Sequence, residues 1–329
     1  MSPVATGIGS MPGTDFAETL RTVLGELPDL PHVPELPARG VHAGMVGRSL
    51  GVVAALGADL VPDGWRLTGS EASGVDHRRA RSLLAQDLDT VEEQARELAG
   101  RLKLQVTGPW TLAATVEKPR GDRVLSDHGA RRELGAALAD GVVGHLADVR
   151  RRVPGAQLVL QLDEPALPAV LGGRVPTASG LHRHRSVDLP EASALLEQVL
   201  AAARDAGATT VVHCCAPDAP LGLLTEAGAD GVSVDLGVLG TASYDLLAEL
   251  LEAGRPVHLG VVPGADPDPW PAGPATTDKV LRLLDMLGLE PAAVPSLVLT
   301  PACGLAGASP AWAREALRLV RAVASNLSA

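Results

Sequence analysis

Hydrophobic and polar positions alternate along this chain in two rhythms. Short runs dense in Val, Leu and Ile stand at 4–9, 103–108, 157–163, 209–215, 231–235, 256–262 and 296–300. They are too short for buried helices and are bounded by turn-forming residues, which predicts buried strands. An eighth run, 30–35, is interrupted by Pro31 and Pro34 and ends on Glu35. Between the runs, apolar residues recur every three or four positions. This spacing predicts helices ending near 27 and over 44–56, 89–102, 130–153, 190–206, 220–227, 244–253, 277–287 and 309–325. Thr14 or Asp15 is placed to cap the first helix, and Ser309 followed by Pro310 to open the last. Pro62-Asp63-Gly64 predicts a hairpin turn within 39–75, a stretch that reads as an insertion.

Eight strands alternating with helices, undivided by any Gly-, Ser- or Pro-rich linker, imply an α/β protein with a parallel sheet closed into a (β/α)8 TIM barrel. The expectation is one domain over 1–329 with an inserted segment at about 39–75. Chemistry in such a barrel collects at the carboxyl ends of the strands. Ser10, Glu35, Trp110, Asp163, His213, Cys215, Asp235 and Cys303 all fall there. An open doubly wound sheet is the alternative, but Gly9-Ser10 begins no GxGxxG pattern and no Walker loop is present.

Composition narrows the partners. A formal net charge of −11 disfavours nucleic acid or an anionic membrane surface, and 46% hydrophobic residues suffice for a large core. Three cysteines, two of them adjacent, make no disulfide framework and suit a reducing compartment. The amino terminus lacks the regions of a signal peptide and no apolar run reaches the ~18 residues of a membrane span, so a cytoplasmic location is expected.

The stretch TTVVHCCAPD at 209–218 carries the first chemical signal. Side chains alternate across a strand, so His213 and Cys215 point to one side and Cys214 to the other, against a helix. An imidazole and a thiolate side by side are good zinc ligands, and later strands end on Asp235 and Cys303. Spread over about ninety residues, these four do not resemble a finger or ribbon, whose ligands come in close pairs. A barrel needs no structural ion, so a catalytic zinc that lowers the pKa of a substrate thiol is the expectation.

These residues resemble a known family. His213-Cys214-Cys215, Asp235 and Cys303-Gly304-Leu305 are similar to the zinc motifs of the catalytic barrel of cobalamin-independent methionine synthase, which shares a superfamily with uroporphyrinogen decarboxylase. Ile8-Gly9-Ser10-Met11-Pro12-Gly13-Thr14 resembles that family's IGSxPxT motif. Leu160-Gln161-Leu162-Asp163-Glu164-Pro165-Ala166-Leu167 is close to its QxDEPAL motif. The resemblance implies zinc held by His213, Cys215 and Cys303, with Asp235 standing where the family usually has Glu. It also implies a homocysteine-like acceptor against the backbone of Ile8, Gly9 and Ser10, with Glu35 and Asp163 as the catalytic carboxylates facing its ammonium. Trp110 is a candidate to stack on a ring-bearing ligand.

The departures are specific. Ala169 replaces the acid expected six positions after Asp163, a folate-stacking Trp is replaced near Thr115, and the proton-donating His is missing from 260–265. These losses fall on the donor side. The implied activity is therefore methyl transfer to homocysteine or a related thiol from methylcobalamin, its carrier protein or a methyl-folate. The run His182-Arg183-His184-Arg185 reads as a solvated loop or as a seat for an anionic donor, and His258 as a buried, hydrogen-bonded ring. Two other functions share the barrel. A uroporphyrinogen-type decarboxylase needs no zinc and favours arginines near the first loop, where Ser10, Met11 and Thr14 stand instead. A non-catalytic barrel that binds zinc or a thiol is the third reading.

Overall fold

The computed structural model describes residues 2–69 and 73–328. In chain order its elements are β1 (Val4–Ala5), α1 (Phe16–Glu26), α2 (Met45–Val52), β2 (Ala58–Val61), β3 (Gly64–Leu67) and α3 (Val75–Ala95). Then come β4 (Arg101–Thr107), α4 (Pro109–Thr115), α5 (His128–Arg152), β5 (Gln157–Asp163), α6 (Leu167–Leu171), α7 (Leu189–Asp205) and β6 (Thr209–Cys214). The chain ends with α8 (Leu221–Glu226), β7 (Gly231–Asp235), α9 (Tyr244–Glu252), β8 (Val257–Val262), α10 (Gly273–Met286), β9 (Leu297–Pro301) and α11 (Pro310–Asn326).

Seven strands form one curled parallel sheet in the order β1-β9-β8-β7-β6-β5-β4. The eighth stave, expected as a strand over 30–35, is not a continuous strand. Pro31 and Pro34 remove amide donors from the ladder. The segment still spans the gap, because Val33 N donates to Lys103 O and Glu35 N to Gly9 O at 2.8 and 3.1 Å. Hydrogen bonding therefore runs all the way round, and the fold is of the TIM-barrel type.

Leu30, Val159, Val211 and Val298 form a small apolar cluster inside the barrel, separate from the main core between sheet and helices. Two residues further along each strand the inward layer turns polar, with Gln161, His213 and Thr300 all buried. That polar layer is the floor on which the site rests.

Other boundaries differ from the sequence expectation. Helix α3 spans Val75–Ala95 rather than 89–102, because its buried stripe includes His77 and Asp87, polar residues that interrupt the apolar rhythm. Residues 101 and 102 belong to β4. Helix α2 ends at Val52 and α10 begins at Gly273, while α4 and α6 have no counterpart in the expectation. The hairpin is present as β2 and β3, joined by Pro62-Asp63 with Gly64 at φ 123°. The segment expected as an insertion over about 39–75 includes residues 70–72, which lie outside the described residues. Within it, α2 packs beside β4: Ser49 Oγ and Thr107 Oγ1 are 2.9 Å apart, and Arg48 Nη1 bonds Asp87 Oδ2 at 2.7 Å. Both helix-cap expectations hold, since Asp15 accepts from Glu18 N and Ser309 from Trp312 N.

Candidate active site

Three strand ends meet at one side of the barrel mouth. β6 carries His213 inward beside Ser233 of β7, its partner in register, and His213 Nδ1 lies 2.9 Å from Ser233 Oγ. This bond fixes the ring. The other nitrogen, Nε2, is buried and has no hydrogen-bond partner among the described residues. Cys215 follows one residue after β6 and Cys303 two residues after β9, with their Sγ atoms 3.1 Å apart. The ligating atoms of His213, Cys215 and Cys303 all lie within 4.8 Å of one another, the one such group among the described residues.

Local sequence explains the approach of Cys303. A Cβ on Gly260 would come within 2.6 Å of Ala302 Cα, so glycine alone lets the turn after β9 cross β8. Leu305 N then donates to Ser10 O at 2.8 Å, and a Cβ on Gly304 would collide with Ser10 Oγ. Gly304→Ala is therefore expected to shift Cys303 and to weaken whatever affinity the cluster has for an added thiophilic ion by about tenfold, the scale on which outer contacts tune metal sites. Competitive titration with a chromophoric chelator measures it.

Two sulfurs and an orphaned imidazole nitrogen form a donor set suited to a thiophilic ion such as zinc. The Cys215 thiol in contact with it and the nearby His213 imidazole favour the Cys303 thiolate and hold its thiol well below the usual range, while the same contact with Cys303 raises Cys215. Cys214 is buried on the opposite side of the strand, and burial pushes its thiol up to about 11.

A cavity of about 350 Å³ adjoins the cluster and is lined by Ile8, Gly9, Ser10, Glu35, Asp163, His213, Cys215 and Cys303 among others. Glu35 is buried, 3.2 Å from Gln105 Nε2 and 3.6 Å from Arg48 Nε. Burial outweighs these partners and raises its carboxyl to about 7. Asp163, also raised by burial, accepts from Gln161 Nε2 at 2.7 Å. Pro37, Met45 and Gln105 line the same cavity. Sequence reasoning missed them because Pro37 and Met45 sit in or beside the presumed insertion. The inward alternation of β4 was the available signal for Gln105.

Two expected residues are not brought to the site. Asp235 lies outside the three-residue cluster, and its Oδ1 turns back to accept from Gly237 N at 2.7 Å. Trp110 is fully buried at the start of α4, its indole donating to Ala192 O of α7 at 3.0 Å, and it does not line the cavity. The carboxylate beside Asp163 also has a different task. Glu164 accepts from Trp110 N, Thr111 N and Thr111 Oγ1 at 2.9, 2.8 and 2.7 Å, capping α4. Of the basic run, His184 is buried 3.3 Å from Asp122, while His182, Arg183 and Arg185 are exposed on the loop before α7. His258 is buried as expected, but its Nδ1 has no hydrogen-bond partner among the described residues.

A family model described as "Cobalamin-independent synthase, Catalytic domain" matches residues 86–326, more than half of the chain. Among solved structures, a B12-independent methionine synthase from Shewanella sp. W3-18-1, in complex with selenomethionine, superposes with a TM-score of 0.62 at 14% identity. The match covers 100% of this chain and 98% of that one. A GH5_18 protein from Streptomyces cattleya, in complex with GlcNAc, gives a TM-score of 0.48 at 15% identity over 99% of this chain and 80% of that one. No curated protein matches. No helix among the described residues is long and apolar enough to cross a membrane.

Proposed function

This chain belongs to the cobalamin-independent synthase catalytic-domain family, and from that premise we propose that it is a zinc-dependent methyltransferase whose acceptor is a thiol amino acid, homocysteine, converted to methionine. The observation that carries this reading is the grouping of His213, Cys215 and Cys303 at the edge of a cavity that also holds two buried carboxylates. His213 through Nε2, Cys215 and Cys303 would hold the ion. Bound zinc supplies Lewis acidity that lowers the pKa of an acceptor thiol. The described pocket lining offers no arginine for the propionates of a porphyrinogen, which leaves the decarboxylase reading without support.

The chain's own residues do the binding. Gly9 N–H and Ser10 N–H have no acceptor among the described residues, which suits them to an α-carboxylate. Glu35 and Asp163 stand for the ammonium. So oriented, the acceptor sulfur attacks the donor's methyl carbon in line. The S–C bond forms as the bond between methyl and donor breaks, the donor keeps the electron pair, the thiol proton leaves to solvent, and a folate nitrogen so released takes up a proton from solvent. Its donor is a methyl-folate or methylcobalamin, free or on a carrier protein. Methyl transfer to L-homocysteine, assayed with each donor in turn, tests the reading: methionine formed from either supports it, and none from both defeats it.

The carboxyl of Glu35, raised to about 7, gives this site a pH signature. Below that value the free protein holds Glu35 neutral, and pairing with an ammonium requires its ionisation. Acceptor affinity is therefore expected to fall by about tenfold per unit as pH drops below about 7. Glu35→Gln should bind more weakly and lose that component of the pH dependence, leaving the part due to the acceptor thiol, which calorimetry across pH 5–8 would show.

A further inference from the structure

One buried charge takes no part in the proposed chemistry. Lys103 on β4 is completely buried, and its Nζ donates to Ile8 O at 2.7 Å and to Gln161 Oε1 at 2.9 Å. Gln161 Nε2 donates to the same Ile8 carbonyl at 2.9 Å and to Asp163 Oδ1 at 2.7 Å. Burying an ammonium costs several kcal/mol. The barrel does not need it for packing, since its partner in register on β5 is the apolar Val159. Burial lowers the ammonium to about 7, with Asp163 and Glu35 supporting its charge.

What the lysine gains is control of one peptide plane. The Ile8-Gly9 bond is trans, so the Ile8 carbonyl and the Gly9 N–H point in opposite directions. Two donors from the barrel interior hold the carbonyl down and turn the Gly9 amide up toward the cavity. The chain can pass this close only because Gly7 and Gly9 lack side chains: a Cβ on Gly7 would collide with the His32 ring, and one on Gly9 would lie 2.7 Å from Gln105 Cδ.

We infer that Lys103 is the positioning residue of the acceptor site, clamping Ile8 O together with Gln161 so that the Gly9 amide faces an α-carboxylate, while Glu35 N holds the carbonyl of the next plane, which carries the Ser10 amide. Through Gln161 the same clamp fixes Asp163, which faces the ammonium. The inference rests on the amino-acid acceptor proposed above. It adds that acceptor recognition is set from below, by a residue that touches neither the acceptor nor the cluster.

Lys103→Met tests it, because methionine fills much the same volume and removes the cost of burying an ammonium together with its two hydrogen bonds. Three measurements on zinc-loaded protein are compared with wild type: calorimetric binding of L-homocysteine, thermal unfolding, and amide exchange without ligand at Met11, Glu35 and Leu305. The last three amides bond to the loop or to its partner strand. Expected are at least tenfold weaker binding, an unchanged or higher Tm, and faster exchange at those amides. Unchanged binding and exchange would overturn the inference, as would a fall in Tm paralleling every other loss. Gln161→Met, which removes the second donor, should act in the same direction if Lys103→Met does not fold, and failure of both to fold would also overturn it. Wild-type protein that binds no L-homocysteine, while exchange rises in the variant, would defeat the acceptor reading and leave the clamp as a loop anchor only.

Discussion

Cys303→Ser is expected to purify without stoichiometric zinc, to bind added zinc at least about 100-fold more weakly, and to show no measurable methyl transfer. The cluster has three members within 4.8 Å, so removing one sulfur leaves His213 and Cys215 as its only remaining donors. Losing an outer-shell partner costs 10–100-fold in metal affinity, and loss of a direct ligand should exceed that. The fold should survive, because Cys303 is exposed at a loop after β9 and the barrel core does not include it. Metal analysis together with thermal unfolding separates these effects. A variant that keeps one zinc per chain and full activity would remove Cys303 from the site. Cys214→Ser makes a contrasting pair, since that thiol faces away from the cluster and its loss should cost stability rather than metal.

Glu164→Ala is expected to have the largest effect on stability. Its carboxyl is completely buried and accepts three hydrogen bonds at the start of α4. Truncation strands two amides and a hydroxyl where water is scarce, each at a cost of about 1–3 kcal/mol. A total of about 3–4 kcal/mol corresponds to a fall in Tm on the order of 5 °C, given about 2.1 cal/mol/K of unfolding entropy per residue. The pH dependence adds a sign. Burial raises the Glu164 carboxyl from 4.5 to about 7, so the folded protein binds that proton more tightly than the unfolded chain does. Its proton-linked contribution is fully present below about 4.5 and is lost as pH rises through about 7, and the alanine variant should lack that component. Differential scanning calorimetry at pH 5 and pH 8 reads both quantities. A Tm within about 1 °C of wild type at both would mean that α4 does not depend on this cap.

The parts of this molecule that sequence reveals are those set by local periodicity. Parallel strands buried on both faces read as short apolar runs, and the residues that end them, His213, Cys215, Asp163 and Cys303, surface together because a barrel sends all its strand ends to one rim. Sequence does not show where a side chain's own hydrogen bonds are met. Asp235 ends a strand as a ligand would, yet it closes a turn onto Gly237 N. Trp110 looks like a stacking platform, but Glu164, 54 positions later, nucleates a helix that carries the indole into the core. Likewise 30–35 reads as a strand, but its two prolines cannot donate, and among the described residues its amide bonds to the neighbouring strands come from Val33 and Glu35. The contribution of α2 to the cavity was hidden because Arg48 is buried between Glu35 and Asp87, partners 13 and 39 residues away.

The proposed chemistry requires one divalent ion gathered by His213, Cys215 and Cys303 and open to an acceptor sulfur. X-ray absorption at the zinc edge, on protein loaded with one equivalent and then exposed to L-homocysteine, addresses it directly. The prediction is two sulfur neighbours and at least one imidazole nitrogen at rest, rising to three sulfurs once the amino acid is bound. A zinc site without sulfur neighbours, or one whose sulfur count stays fixed on saturation with homocysteine, would contradict it.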